Sequence, residues 1–567
     1  MIKNSWLALA GSQHRQRHSR SIMIQSHCTQ SLSQEELPRM TNEMSFKLTY
    51  ATMFNPPEEL HTRFSEAMER TKASLGKEYP MFIGGQERYA DEKHDAHSPI
   101  NTDWHLATFQ KGTPKDAEDA IAAAKAAFPA WSMMNWEERV YLLRKVADII
   151  DQRIYEISAA MTLEVGKNRM EALGEVAETA DMIRYACTQM EANGGFIKQM
   201  DSDPLTSFVS TNESVLKPYG VWLVISPFNY PVALTGGPSG AALVAGNTLV
   251  VKPATDTCWS STLLVECMRQ AGIPDGVVNL VTGPGSTVGK KLTDSRDVAG
   301  ITFTGSYDVG MQIYCTFGRG RYVRPTILEM GGKNPAIVSR NANLEDAAVG
   351  IVRSAFGLQG QKCSACSRVF VEEPLYEPLV KRMAELTDLL TIGDPTERET
   401  YMGPVINKNS YADYQKFIAN LYEAGKVLTG GKVLTYGDFD KGYFCTPTIA
   451  VDVPMDHYLW KREMFVPIIM VASVKDLQEA MALANDVDYG LTAGFYGTEE
   501  EVGWFFDNIE AGVVYANRPQ GATTGAWPGF QPFGGWKGSG SSGKNGGGLY
   551  YVQLYLHEQS RTLVRRS

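Results

Sequence analysis

Cysteine is scarce in this sequence and is nowhere concentrated. The chain of 567 residues has eight cysteines, most of them far apart, whereas small secreted domains held by disulfides carry many within a short span. Cys363 and Cys366 form a CxxC pair, but the second close Cys/His pair of a structural zinc site is missing. A thioredoxin-type redox pair would stand near the start of a small fold. We therefore expect a reducing, cytoplasmic location and no metal site.

Excess positive charge and long hydrophobic runs are also absent. Lys and Arg total 54 against 64 Asp and Glu, a formal net charge of −10, and nucleic-acid binding requires clustered positive charge. The longest apolar region, residues 221–251, is interrupted by Pro227, Asn229, Pro231 and Pro238. A transmembrane helix needs roughly 20 consecutive apolar residues. We expect neither a nucleic-acid partner nor a membrane partner.

Acidic residues are missing from the first 34 residues, which carry four Lys or Arg residues between Lys3 and Arg20. This composition matches an organelle presequence superficially, but the segment has no amphipathic period. We interpret residues 1–43 as a disordered extension, with Met44 as the natural start. A mitochondrial matrix location would follow only if the segment were a presequence.

Short apolar runs alternate with helical segments over most of the chain. Between residues 221 and 330 the runs are VWLVIS, NTLVVKP, GVVNLVTG, AGITFTGS and PTILEM. After residue 331 they are RVFVEE, MGPVI, PTIAVDV and GVVYAN. This alternation is typical of βαβ units around a buried parallel sheet. It predicts two α/β domains, and helical periodicity over 117–128 and 136–161 predicts surface-packed helices ahead of them.

Two further segments predict a small β element. Residues 203–219 alternate in polarity like a projecting hairpin, and the glycine-rich C-terminal stretch is followed by LYYVQLYL, which predicts a strand. We expect 44–202 and 220–330 to form one discontinuous domain and 331–520 a second. Residues 203–219 and 521–567 would form an oligomerisation element.

Cys363, in the segment GQKCS, is the strongest candidate for chemistry, because a thiolate is a potent nucleophile. Taken alone, a single cysteine is more often an inert buried thiol. Asn229, which stands between two prolines, would by itself be a turn residue. Glu329 would by itself be a solvated carboxylate at the end of a strand. Their roles depend on what else the sequence contains.

Five segments, in this order and at these separations, resemble signature segments of the aldehyde dehydrogenase superfamily. They are SPFNYP at 226–231, FTGS at 303–306, LEMGGK at 328–333, GQKC at 360–363 and EMF at 463–465. The resemblance runs from about Phe46 to the C-terminus. It implies an aldehyde dehydrogenase-like α/β fold: a Rossmann-type NAD-binding domain, a second α/β catalytic domain and the small oligomerisation element of a homo-oligomer.

The resemblance implies covalent catalysis. Cys363 would attack the aldehyde carbon to give a thiohemiacetal and, after hydride transfer to NAD, a thioester. The side-chain amide of Asn229 and the backbone N–H of Cys363 would stabilise the developing alkoxide. Glu329 would activate the water that hydrolyses the thioester, a role that suits a carboxylate with a raised pKa.

The same resemblance implies the cofactor residues, which are Ser226, Pro227, Lys252, Gly305, Ser306, Gly310, Glu463 and Phe465. Lys252 would bind the adenosine ribose, and the helix that begins near Ser306 would lie beside the pyrophosphate. Glu463 would hold the nicotinamide ribose. Two residues depart from the pattern. Thr255 replaces a frequent Glu, which leaves NADP open beside NAD, and Val466 replaces a usual Gly.

Local features resemble one subfamily, the 1-pyrroline-5-carboxylate dehydrogenases: KCS at 362–364, TGA at 524–526 with QPFGG after it, and FNPPEELHTRF. In that subfamily the N–H groups of Gly525 and Ala526, with the Ser364 hydroxyl, anchor the substrate α-carboxylate. Tyr230, where Phe is usual, and Phe533 would flank the aliphatic chain. The implied reaction is NAD-dependent oxidation of L-glutamate γ-semialdehyde to L-glutamate, in proline degradation.

Three alternatives stay open at this point. The substrate could be another short semialdehyde or a hydroxyaldehyde. A CoA-acylating enzyme would use a thiol in place of water, and the base Glu329 counts against it. A non-catalytic scaffold would keep the fold without the reaction, since a fold alone does not determine function.

Overall fold

A seven-stranded sheet forms the first layer in the computed structural model, which describes residues 48–49, 52–53, 56–204, 207–518 and 526–566. Its strands, in spatial order, are Thr326–Glu329, Val298–Thr304, Val221–Ile225, Thr248–Lys252, Val278–Leu280, Met81–Ile83 and Gln86–Arg88. The first five are parallel and the last two are antiparallel. The five predicted apolar runs between 221 and 330 are thus confirmed as strands. The predicted extension at 1–43 lies outside the described residues.

Helices pack on this sheet and on one another. They are Pro114–Met133, Trp136–Gln152, Ile154–Val165, Arg169–Ala192, Ala233–Ala245, Cys258–Gln270, Lys290–Asp294 and Tyr307–Phe317. Pro114–Met133 begins at a capping box between Thr113 and Asp116, which satisfies N–H groups that the first turn leaves unpaired. The helical periodicity predicted over 136–161 is confirmed and belongs to two helices, which meet at Arg153. The strands carry continuous apolar runs because both faces of a parallel sheet are covered.

A second seven-stranded sheet follows, and residues 46–567 cluster into one unit that contains both sheets. Its strands, in spatial order, are Lys426–Thr429, Thr448–Val451, Ile468–Val474, Cys366–Glu372, Asn334–Val338, Thr492–Tyr496 and Val513–Ala516, and all pairs but the first are parallel. Helices Leu344–Phe356, Glu373–Asp388, Lys408–Ala424, Leu477–Asn485 and Glu499–Asn508 pack around it. The second α/β layer is therefore confirmed.

One predicted element of this layer is wrong. The MGPVI run, 402–406, forms no strand and makes only an isolated bridge between Ile392 and Met402. Pro404 has no N–H to donate to a ladder, so the segment cannot pair as a central strand does.

The small β element is a three-stranded antiparallel sheet. Phe208–Pro218 lies in the middle, between Ile197–Met200 and Leu556–Arg566. The C-terminal strand therefore begins at Leu556, and its predicted position in LYYVQLYL is wrong. Residues Val552–Tyr555 of that run form a 3-10 turn, whose Tyr555 is buried against Trp222 at a ring distance of 4.6 Å.

The N-terminal part of the described chain adds helix Glu58–Lys72 and a small sheet of Lys77–Tyr79, His105–Gln110 and Lys93–His97. A two-stranded pair, Tyr489–Gly490 with Trp536–Lys537, lies near the C-terminus. Among the described residues no helix is long and apolar enough to cross a membrane. In the same residues no group of three or more His, Cys, Asp or Glu side chains is arranged to hold a metal ion.

Candidate active site

The site lies at the carboxyl end of the first sheet, where the strand order reverses. Strands Val221–Ile225 and Val298–Thr304 are neighbours there, although they are separated in the chain. Such a reversal opens a crevice in which open α/β sheets bind ligands. Ser226 follows the first of these strands and Gly305 the second, and Glu329 ends the next strand along. The fold thus brings three separate sequence motifs to one edge.

Cys363 is delivered to this edge by the loop between helix Leu344–Phe356 and strand Cys366–Glu372. Leu358 and Gln359 in this loop have φ angles of +47° and +57°. Consecutive left-handed residues other than glycine are unfavourable and persist only where surrounding contacts impose them. On the other side of Cys363, Asn334 donates its Nδ2–H groups to the carbonyls of Cys363 (2.7 Å) and Ala365 (2.9 Å).

Asn229 is buried and its side chain is fixed. Its Nδ2 donates to the backbone carbonyl of Gln361 at 2.9 Å, two residues before Cys363. An amide nitrogen carries a second N–H. The Asn229 amide and the Cys363 loop are therefore held together, as a two-donor oxyanion site requires.

Burial raises the pKa of the Glu329 carboxyl well above its usual value, and the N–H of Gly535 opposes the shift only partly. Glu329 Oε2 is buried without a hydrogen-bond partner among the described residues. An unpaired carboxylate oxygen in an apolar pocket favours the protonated form, so Glu329 can accept a proton from water only in its ionised fraction, which grows as the pH rises.

The thiol of Cys363 is also affected by its surroundings. Burial, followed by the nearby carboxylates of Glu463 and Glu329, raises its pKa to about 12, and the N–H groups of Ser364 and Cys363 itself partly oppose this. Burial therefore favours the neutral thiol over the thiolate. Its reactivity depends on stabilising charge after attack rather than on a standing thiolate.

Cys363 and Glu329 open into a common pocket that encloses about 720 Å³, part of it open to solvent. Its lining is mainly apolar and includes Phe533, the residue expected to flank the substrate chain. Tyr230 is absent from this lining, and its ring instead lies 3.6 Å from Lys167 Nζ.

Sequence reasoning missed several pocket residues, which are Met182, Tyr185, Leu234, Tyr551 and Val552. The first three come from helices Arg169–Ala192 and Ala233–Ala245, whose periodicity predicts a helix but gives no signal for a pocket. Tyr551 lies in the C-terminal run that was assigned to a strand, and its hydroxyl accepts a hydrogen bond from Tyr555 at 2.8 Å.

The predicted adenosine and pyrophosphate residues lie along the same crevice. Lys252 ends its strand and is buried, and its Nζ donates to the Pro253 carbonyl at 3.0 Å. Ser306 precedes helix Tyr307–Phe317 and makes no side-chain capping bond. The first N–H groups of the helix thus meet no cap from Ser306, which suits a phosphate. Gly310, in the first turn, packs so closely on Met330 that a Cβ would lie 2.4 Å from its Sδ.

Glu463 and Phe465 lie beside the catalytic loop. Glu463 Oε1 accepts from the N–H of Gly332 at 2.8 Å, and burial raises the pKa of its carboxyl to about 7. Phe465 has a left-handed φ of +58° and meets Phe228 edge to face at 5.8 Å. A carboxylate beside the nucleophile and an aromatic wall fit a polar cofactor such as a nicotinamide riboside.

Of the three residues predicted to anchor the α-carboxylate, the structure describes Ser364 and Ala526. Ser364 is buried next to the nucleophile, and Ala526 is buried as well. Gly525, with 519–524, lies outside the described residues.

Comparison with known proteins agrees with this geometry. The profile of the aldehyde dehydrogenase family matches residues 87–560. The chain belongs to the aldehyde dehydrogenase family. A curated 1-pyrroline-5-carboxylate dehydrogenase of Geobacillus sp. (strain WCH70) is 38% identical over 506 residues, covering 88% of this chain and 95% of the relative. That of Bacillus cytotoxicus is 37% identical over 505 residues, with the same coverage.

Solved structures place this aldehyde dehydrogenase in the same fold. The crystal structure of 1-pyrroline-5-carboxylate dehydrogenase from Thermus with bound NAD is similar with a TM-score of 0.85 and 34% identity. It covers 91% of this chain and 98% of that one. The predicted aldehyde dehydrogenase-like α/β fold is therefore confirmed, as is the membership of the family.

Proposed function

We propose that this aldehyde dehydrogenase oxidises L-glutamate γ-semialdehyde, the open form of 1-pyrroline-5-carboxylate, to L-glutamate with NAD, in proline degradation. The observation that carries the proposal is the common pocket of Cys363, Glu329 and Phe533. It is supported by relatives named for this activity that match almost over their full length and by the NAD bound to the Thermus structure.

The first step is attack of Cys363 Sγ on the aldehyde carbon, with the thiol proton passing to water in the pocket, which is partly open to solvent. A C–S bond forms, and the carbonyl oxygen becomes an alkoxide. The second N–H of Asn229 Nδ2 and the backbone N–H of Cys363 stabilise that oxygen. Because Asn229 is already tied to the Gln361 carbonyl, little reorganisation is needed when the charge develops.

NAD, when bound, supplies the acceptor for the hydride that leaves the former aldehyde carbon. We assign its binding to Ser226, Pro227, Lys252, Gly305, Ser306, Gly310, Glu463 and Phe465. Lys252 would hold the adenosine ribose, the N–H groups of the helix beginning at Tyr307 would bind the pyrophosphate, and Glu463 would bind the nicotinamide ribose.

Loss of the hydride leaves a thioester on Cys363. Glu329 takes a proton from a water, the hydroxide adds to the thioester carbon, and the C–S bond breaks to release the carboxylic acid and the Cys363 thiolate. Glu329 passes its proton to the thiolate, and the acid ionises to the carboxylate product. An unpaired Oε2 in a buried position suits Glu329 for accepting the water proton.

We assign substrate selection to residues that contact the aliphatic chain and to residues that contact the α-carboxylate. Phe533 packs against the aliphatic chain. The Tyr230 ring packs against Lys167 Nζ and stabilises the site through that contact. Ser364, Gly525 and Ala526 anchor the α-carboxylate, since hydroxyl and main-chain N–H donors in a loop suit an anion.

The remaining proposals concern organisation. The two large sheets correspond to an NAD-binding domain (44–202 with 220–330) and a catalytic domain (331–520). The small sheet is the oligomerisation element of a homo-oligomer, supported by Leu563 and Val564, which are half exposed on its C-terminal strand. A cytoplasmic location is supported by the seven described cysteines, all of which are free.

A substrate and cofactor panel tests the proposal. NADH formation is measured with glutamate semialdehyde, succinate semialdehyde and simple aliphatic aldehydes, each with NAD and with NADP. We expect the highest kcat/KM with glutamate semialdehyde and NAD. Faster turnover of the aliphatic aldehydes would contradict the substrate, and no turnover of any aldehyde would favour a non-catalytic scaffold.

A further inference from the structure

Helix Arg169–Ala192 buries three carboxylates, Glu171, Glu175 and Glu178, of which Glu171 and Glu175 stand one turn apart. Residues four apart lie one above the other along a helix. Each of the two side chains leaves the helix to bind a different segment of the active site. Charged side chains are rarely buried unless they are fully paired. The contacts of Glu171 and Glu175 therefore indicate their role.

Glu171 holds the loop that carries the nucleophile. Its Oε2 accepts from the N–H of Leu358 at 3.0 Å, and its Oε1 pairs with Lys362 Nζ at 2.6 Å. The carboxylate therefore joins the two ends of a five-residue segment that contains the left-handed residues Leu358 and Gln359. Lys362 directly precedes Cys363, so the position of the Cys363 backbone N–H depends on this clamp.

Gln361 lies inside the clamped segment and connects it to the second oxyanion donor. Its backbone carbonyl accepts from Asn229 Nδ2, and its side-chain Oε1 accepts from the N–H of Ile406 at 3.0 Å. A shift of the segment would therefore move the Asn229 amide together with Cys363.

Glu175 holds the other half of the site in the same way. Its Oε1 accepts from the N–H groups of Val232 (2.8 Å) and Ala233 (3.1 Å), which follow Asn229 in the chain. Its Oε2 pairs with the fully buried Lys167. One rigid helix thus contacts both segments that supply the oxyanion donors.

We propose that Glu171 is a positioning residue that, with Lys362 as its partner and Glu175 one turn further on, fixes the spacing between the Cys363 N–H and the Asn229 amide. Glu171 acts through the loop and not on the substrate. The inference rests on the aldehyde oxidation at Cys363 proposed above. Loss of the clamp slows formation of the alkoxide, before the thioester is made.

The experiment compares Glu171→Gln, Lys362→Met and the double variant in the full-length protein. The readout is the rate of the pre-steady-state NADH burst with glutamate semialdehyde and saturating NAD. We expect each single variant to slow the burst at least 10-fold, with the KM for NAD within twofold of wild type. The double variant should lose no more than the worse single variant, because the two side chains act as one pair.

A matched control removes another buried carboxylate. Glu372 pairs with Arg340 at the far end of strand Cys366–Glu372, so Glu372→Gln should leave the burst rate unchanged. Glu171→Asp, which keeps the charge, should recover part of the burst rate. A burst within twofold of wild type in both single variants would overturn the proposal, as would additive losses in the double variant.

Two further outcomes are distinguished by the same measurements. If Glu171→Gln does not fold, Lys362→Met decides alone, because it leaves the contact between Glu171 and Leu358 in place. If wild type forms no NADH with any aldehyde, the proposed function fails, and the effect of the clamp on this reaction cannot arise. A normal wild-type burst with unaffected variants contradicts the clamp only.

Discussion

Asn229 donates a hydrogen bond of 2.9 Å to the backbone carbonyl of Gln361, although 132 positions separate them in the chain. The contact ties the first βαβ layer to the nucleophile loop of the second. It also orients the amide, because one of its two N–H groups is fixed by the carbonyl. The proposed alkoxide stabilisation depends on this orientation.

Asn229→Ala should therefore lower kcat by roughly 100- to 1,000-fold, the loss seen when one oxyanion donor is removed, which corresponds to about 2.7 to 4 kcal/mol. The KM for NAD should change little. Steady-state NADH formation measures both. A kcat within a few fold of wild type would show that the amide does not contact the developing charge.

The Glu329→Gln variant should retain the NADH burst but lose steady-state NADH formation. Hydrolysis of the thioester needs the base, whereas hydride transfer does not. In wild type, the base must be ionised, and its pKa is raised well above the usual value. The deacylation rate should therefore rise with pH through that raised pKa and then level off. Stopped-flow traces across pH test both points, and loss of the burst in the variant would assign Glu329 a structural role.

Cys363→Ala should reduce NADH formation by more than about 1,000-fold, as expected for a covalent nucleophile. The raised pKa of the wild-type thiol, about 12, makes a second prediction. Alkylation of Cys363 by iodoacetamide should speed up by roughly tenfold per pH unit between pH 7 and 9, as the thiolate fraction grows. Peptide mapping measures how much of Cys363 is alkylated at each time. A rate independent of pH would mean that the thiolate already exists at neutral pH.

Thr255→Glu should weaken the use of NADP more than the use of NAD. The residue lies three positions after Lys252, at the carboxyl end of the sheet. A carboxylate there would repel a 2′-phosphate, and like-charge contacts are unfavourable. The ratio of kcat/KM values for the two cofactors measures the change. An equal change for both would place residue 255 away from the ribose.

Leu563→Arg should weaken self-association. Leu563 is 51% exposed on strand Leu556–Arg566, and a new charge in an apolar interface lacks a partner. Light scattering over a concentration series reports the oligomer size. Leu389→Arg, at a residue 76% exposed outside this sheet, is the control and should have no effect. An unchanged oligomer in both variants would place the interface elsewhere.

The strands and the main motifs could be predicted from local pattern. The runs around Val221–Ile225 and Thr248–Lys252 are buried on both faces, and such runs are identified by composition alone. MGPVI and LYYVQLYL are just as apolar, yet neither forms the expected strand. Pro404 cannot donate to a ladder, and Tyr555 is drawn into the core beside Trp222. Local composition does not predict these contacts.

The sequence by itself determined the βαβ scaffold through its apolar runs, and through a family resemblance it indicated the candidate groups: the Cys363 thiol, the Glu329 carboxyl and the Asn229 amide. Only the tertiary structure decided how they act together. It placed Phe533 in the pocket and Tyr230 against Lys167, raised the pKa values of Glu329 and Cys363 by burial, and fixed the nucleophile loop through Glu171. Burial and long-range pairing depend on which distant segments contact each other, and periodicity along the chain does not predict those contacts.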